Sequence, residues 1–217
     1  MILSRGRHYI FIHIPKTGGT ALSLALEARA MKDDVLVGDT PKARARAGRQ
    51  KGLTTAGRLW KHSTLAEIDG LVASEELDDF FIFTLVRNPW DRMVSYYHWL
   101  KGQGFNHQAV ALARSLDFSD FLRHPLMQDS FRRWPAAAYL QGADGQYHAS
   151  LCARLEHLDE DLVPLEDHLG FRLTPLARVN QSERPRDYRT CYSDSDAVLL
   201  AELCADDIAR FGYGFDG

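Results

Sequence analysis

Two apolar runs stand out from the polar background of this chain, Tyr9-Ile10-Phe11-Ile12-His13-Ile14 and Phe80-Phe81-Ile82-Phe83-Thr84-Leu85-Val86. Both are short, rich in β-branched and aromatic residues, and closed by turn formers, which predicts strands rather than helices. The second run lacks polar alternation, as expected of a central parallel strand covered on both faces. Shorter strands are predicted at Asp34 to Val37 and around Cys152 to Leu155. Helical spacing follows the first run, where Ala21, Leu22, Ala25, Leu26 and Ala28 recur on one face, and predicts a helix from Thr20 onward. The same periodicity predicts helices over Leu65 to Leu77, Ser119 to Arg123, Asp159 to Leu169 with Gly170 as its stop, and Ser195 to Phe211. Asn88 as N-cap and Pro89 as first helical residue predict another helix running through Tyr96, Tyr97 and Trp99. Strands alternating with helices make an α/β fold of three layers, with a mainly parallel central sheet flanked by helices.

The junction of the first run with its helix carries the candidate chemistry. Pro15-Lys16-Thr17-Gly18-Gly19-Thr20 places an ammonium, two hydroxyls and two glycines at one strand end, just before a helix N-terminus. Free backbone N–H groups and the positive end of the helix dipole make such a corner an anion site, suited to a phosphate or its sulfated relative. It is not a Walker A loop, which needs a glycine four residues before Gly-Lys-Ser/Thr, whereas here Pro15 precedes the lysine.

Length and composition narrow the picture. At 217 residues the chain fits one domain over residues 1–217, with an irregular segment at about 102–145. The three cysteines, Cys152, Cys191 and Cys204, are odd in number and point to a reducing compartment, and no metal-ligand spacing appears among them or the nine histidines. Residues 1–6 are too short and polar for a signal peptide or anchor, so a cytoplasmic location and no membrane span are expected. Net charge is −3, unevenly spread. Between Thr40 and Ser63 lie seven basic residues and no acid, and the other 19 basic residues face all 29 acidic ones. A basic loop at about 40–63 on an acidic body points to an anionic ligand or a solvated surface, not to nucleic acid.

The two strand ends together, Ile14-Pro15-Lys16-Thr17-Gly18-Gly19-Thr20 and Val86-Arg87-Asn88-Pro89-Trp90-Asp91-Arg92-Met93-Val94-Ser95, resemble the sulfotransferases, more narrowly the carbohydrate-type sulfotransferase family 2 and its soluble bacterial members. The likeness continues through Asn180-Gln181-Ser182, Tyr188, Tyr192, Asp207 and Phe211-Gly212-Tyr213. The resemblance implies a P-loop NTPase-like sulfotransferase fold and 3′-phosphoadenosine 5′-phosphosulfate (PAPS) as donor, with no metal required. It places the 5′-phosphosulfate on Lys16, Thr17, Gly18, Gly19 and Thr20, and the 3′-phosphate on Arg87 and Ser95. Lys16 would neutralise the bridging phosphate as the sulfuryl group departs. Family relatives carry a histidine after the basic loop, which makes His62 the candidate base, while His8, His13, His98 and His157 are assigned to structure or surface. The implied acceptor is a hydroxyl of a saccharide or glycoconjugate, with Arg132, Arg133 and Trp134 as candidate lining. The lack of an anchor and of lumenal disulfides leaves lipid-linked sugars, small metabolites and cytoplasmic precursors open. Two rival readings share the phosphate corner: a nucleotide-dependent small-molecule kinase, which would need a Walker-type loop and an acidic strand end, and a non-catalytic nucleotide- or glycan-binding module.

Overall fold

The computed structural model describes residues 1–177, 179 and 183–217. The chain forms two compact units, Met1–Val86 with Ala136–Val179, and Arg87–Pro135 with Asn180–Gly217.

The first unit holds one sheet of five strands, β1 (Ile2–Ser4), β2 (Tyr9–Ile12), β3 (Val35–Leu36), β4 (Phe81–Val86) and β5 (Leu151–Arg154), in the order β3-β1-β2-β4-β5. β2, β4 and β5 pair in parallel, and β1 is antiparallel to both β2 and β3, so four strands share a direction and β1 alone opposes them. The sheet is therefore mixed in its pairing. Along β2 every residue is buried, because Tyr9 and Phe11 join Phe83 and Leu85 of β4 on one face while Ile10 and Ile12 fill the other. Onto the first face pack Leu22 and Leu26 of α1 (Gly19–Ala28) and Leu165, farther along the chain. Burial on both faces is what the unbroken apolar runs required.

The segment predicted as a basic loop contains a helix, α2 (Pro41–Arg46), and a 3-10 turn, Ala47–Gln50. Thr40 caps α2 by accepting from the Ala43 N–H, and donates its own proton to the buried Glu27 carboxyl at 2.6 Å. The basic side chains lie against the end of α1: Lys42 donates to the Glu27 carbonyl, Arg46 to Met31 at 2.8 Å and Arg49 to Lys32 at 2.8 Å. Of these carbonyls only that of Glu27 belongs to the last turn of α1, where a cation also answers the helix dipole; Met31 and Lys32 follow the helix. Much of the charge that reads as ligand attraction in sequence is thus used to fasten this segment.

No continuous helix forms over Leu65 to Leu77. Two 3-10 turns, Ala66–Ile68 and Ser74–Asp79, stand there instead, separated by Gly70 at a φ of 89° that a helix cannot contain. Thr64 and Glu67 cap the first turn reciprocally, at 2.9 and 3.2 Å.

The second unit is helical. α3 (Pro89–Lys101) starts at Asn88, whose Oδ1 accepts from the N–H groups of Trp90 and Asp91. α4 (Gln108–Ser115), α5 (Phe118–Arg123) and α6 (Pro125–Arg133) follow. The chain then returns to the first unit for α7 (Ala136–Leu140), α8 (Leu158–Asp161) and α9 (Val163–Leu169). The break at Leu162 divides the helix predicted from Asp159, because Pro164 in the first turn of α9 has no N–H to continue it. α9 stops at Gly170, at a φ of 73°, as predicted. The tail likewise divides, into α10 (Asp194–Leu203) and α11 (Ala205–Phe211). Trp90, Met93 and Tyr97 of α3 pack with Phe121, Met127, Leu200 and Leu203 in this unit's core.

Candidate active site

In the first unit, the turn between β2 and α1 is held by its own backbone and by one hydroxyl. Lys16 and Gly18 both take left-handed conformations, at φ 67° and 86°, an uncommon state for a lysine. Thr17, fully buried, donates its hydroxyl to the Ile14 carbonyl at 2.9 Å, so its side chain closes the loop. Each glycine has its own reason to lack a side chain. A Cβ on Gly18 would fall 2.6 Å from Leu155 Cδ1, and one on Gly19 would fall 2.3 Å from Cδ2 of the His13 ring. Gly18 is the N-cap of α1 and offers no side-chain acceptor, so the first N–H groups of the helix are not covered by a cap.

Beside the turn lies a cluster that joins distant parts of the sequence. His62 Nδ1 is 2.7 Å from the His13 carbonyl oxygen. A carbonyl only accepts, so Nδ1 carries the proton and Nε2 keeps the lone pair. The His62 ring also sits edge-on to His13 at 4.8 Å and to Trp60 at 5.1 Å. Burial pulls the His62 pKa down to about 4, against the opposing effect of the His13 carbonyl, so the imidazole is neutral through the physiological range. His13 is also held well below the usual histidine range, by burial first and then by its neighbours, the His62 ring, the N-terminus, Lys61 and Lys16. Its buried Nδ1 has no hydrogen-bond partner among the described residues. Lys61 donates to Asp39 at 2.9 and 3.1 Å and to Thr20 Oγ1 at 3.3 Å.

In the second unit, Arg87 donates through Nε and Nη2 to Asp91 Oδ2, at 2.9 and 2.5 Å, and Arg184 donates to the other oxygen of the same carboxylate. Asp91 thus orients two arginines. Ser95 lies buried two turns into α3. Tyr188 and Tyr192 brace the start of α3, Tyr188 through Asn88 Nδ2 at 3.3 Å and Tyr192 through the Trp90 carbonyl at 2.9 Å. Asn180, Gln181 and Ser182 lie outside the described residues.

The sequence matches the model of the sulfotransferase family over residues 1–212. The chain belongs to the sulfotransferase family. It is accordingly an enzyme of sulfuryl transfer. Among solved structures it is similar to mouse sulfotransferase SULT7A1 complexed with PAP, at 15% identity and a TM-score of 0.38, over 98% of this chain and 68% of that one. No curated protein matches the sequence.

Of the residues the sequence points to, Lys16, Thr17, Gly18, Gly19, Thr20 and His62 lie in the first unit with the cluster just described; Arg87 and Ser95 lie in the second. Lys61, Asp39 and Arg184 carry no such mark in the sequence, because their contacts span 22 to 93 residues of chain. Asp91 does carry a signal, since a carboxylate four residues after an arginine at a helix start is an ion-pair spacing. The second unit also contains a cleft of about 220 Å³ whose lining includes Arg92, Arg132, Trp134, Glu202, Asp206 and Asp207. Arg133 is not in that lining.

Among the described residues no helix is long and apolar enough to cross a membrane, and no cluster of three or more His, Cys, Asp or Glu could hold a metal ion.

Proposed function

We propose that the enzyme moves the sulfuryl group of PAPS to a hydroxyl of a saccharide acceptor, with His62 as general base. The observation that carries this reading is the corner itself: left-handed backbone at Lys16 and Gly18 feeding an uncapped helix N-terminus, in a member of the sulfotransferase family. Its residues fit a phosphosulfate, with Lys16 and the first N–H groups of α1 as the anion's partners. Thr17 would contribute its backbone N–H, since its hydroxyl is already used by Ile14. Arg87, which directly follows the last residue of β4, and Ser95 would take the 3′-phosphate of the same donor.

PAPS supplies an activated sulfuryl group whose bond to the 5′-phosphate breaks as the acceptor oxygen bonds to sulfur. His62 Nε2, with its lone pair kept available by the His13 carbonyl, takes the acceptor's hydroxyl proton. Lys16 offsets the charge that gathers on the departing phosphate. The saccharide assignment draws on the cleft around Trp134, where an exposed aromatic face and carboxylates suit the apolar faces and hydroxyls of a sugar. Three acids against two arginines there favour a neutral or amino sugar over a polyanionic one. Cys152, Cys191 and Cys204 form no disulfide, in keeping with a cytoplasmic, reducing setting.

The test is transfer of labelled sulfate from PAPS to a panel of neutral, amino and acidic saccharides. Label on a neutral or amino sugar is the expected result, and label on none, with intact PAPS remaining, would overturn the acceptor class.

A further inference from the structure

We propose that Lys61 is a positioning residue of the donor corner: held by Asp39, it turns the Thr20 hydroxyl into a donor toward the 5′ end of PAPS. The inference rests on the reading of that corner as the 5′-phosphosulfate site and adds a residue to it.

The geometry is direct. Lys61 Nζ lies 3.3 Å from Thr20 Oγ1, and 2.9 and 3.1 Å from the two oxygens of Asp39. An ammonium can only donate, so Thr20 Oγ1 accepts from it and the hydroxyl proton must point elsewhere. Thr20 is the second residue of α1, beside the uncapped N–H groups. A hydroxyl whose lone pair is already engaged by a cation is a better donor to an anion, as hydrogen bonds in a chain polarise one another.

The placement of Lys61 is also unfavourable for the helix end itself. The N-terminal turn of a helix carries positive partial charge, so a cation there is destabilising, where an anion would be stabilising. Lys61 nonetheless reaches this turn from 41 residues away, and Lys16 adds a second cation to the same neighbourhood. Asp39 pairs with Lys61. Burial tends to raise the Asp39 pKa, but hydrogen bonding and charge from Lys61 hold it below the usual carboxylate range, so it remains an anion able to fix the ammonium. An exposed pair of this kind contributes little stability of its own. An anion at this helix end would be favoured both by the helix dipole and by the ammonium that Asp39 fixes there.

The experiment compares binding of adenosine 3′,5′-bisphosphate and adenosine 3′-monophosphate by wild type, Lys61→Met, Lys61→Arg and Thr20→Val, with the melting temperature of each free protein. The expected result is that Lys61→Met binds the bisphosphate about tenfold more weakly, the scale of one charge-assisted hydrogen bond. Its affinity for the 3′-monophosphate stays at the wild-type value, Lys61→Arg recovers most of the loss, and the free Lys61→Met protein melts no lower than wild type. Thr20→Val is expected to lose the same selectivity. Lys61→Met binding both nucleotides like wild type, or losing both equally, would overturn the role of Lys61 alone. A wild type that does not prefer the bisphosphate would overturn the donor-corner reading and this inference with it.

Discussion

His62 and His13 are joined backbone to ring: the Nδ1–H of His62 meets the His13 carbonyl oxygen at 2.7 Å, one residue beyond the end of β2. The sheet strand that leads into the proposed donor corner therefore also sets the tautomer of the proposed base. His62→Ala is expected to lower turnover by about 10²- to 10⁴-fold, the range of a general base, with little change in donor affinity. Single-turnover rates beside nucleotide binding measure both. Unchanged turnover would place the base elsewhere.

Burial of this pair has a consequence for pH. His62 has a folded pKa of about 4 against 6.5 in the unfolded chain, so at high pH both states are neutral and the group has no effect on stability. As pH falls below 6.5 the unfolded chain takes up the proton first, and stability is lost progressively down to about pH 4. For His62 the loss is on the order of 3 kcal/mol over that window, and the buried His13 acts in the same direction. Chemical denaturation between pH 7.5 and 4.5 is expected to show this decline, and His62→Gln to show a shallower one. The acid limb of kcat/KM assigned to His62 is expected below pH 6.5 for the same reason.

Gly19 is fixed by the His13 ring rather than by its own backbone. Gly19→Ala would drive a methyl to 2.3 Å from His13 Cδ2, and is expected to destabilise by about 1–3 kcal/mol. Gly48→Ala, where a Cβ meets nothing within 4 Å, is the control and is expected to stay within about 0.5 kcal/mol of wild type. Equilibrium unfolding of the two variants makes the comparison.

Asp91 holds Arg87 and Arg184 on its two oxygens, all three side chains being largely buried. Asp91→Ala leaves both guanidinium groups without that carboxylate and is expected to cost about 3 kcal/mol. Arg87→Ala is expected instead to weaken donor affinity with little loss of stability. Unfolding curves and nucleotide titrations on the two variants separate these effects.

The features legible in sequence are those set by neighbours along the chain. β2, β4 and β5 follow from apolar runs, the start of α3 from Asn88 and Pro89, and the stop at Gly170 from its need for positive φ. β1 escaped notice because three residues carry too little pattern to mark a strand, although pairing with Tyr9 to Phe11 makes it one. The helical spacing of Leu65 to Leu77 misled because periodicity does not register Gly70 turning the backbone to 89°. The basic residues of 40–63 were visible, but not the carbonyls they meet, because Lys42, Arg46 and Arg49 reach partners 15 to 17 residues back. Lys61 is the extreme case, a lysine whose meaning lies in Thr20 and Asp39.

Donor identity is tested most directly by the rise in melting temperature with adenosine 3′,5′-bisphosphate, set against ADP and ATP at equal concentration, in chelator and again with magnesium. Stabilisation by the bisphosphate alone, independent of magnesium and diminished in both Lys16→Ala and Arg87→Ala, is the predicted result. Stabilisation by ATP that requires magnesium, or no response to the bisphosphate, would contradict it.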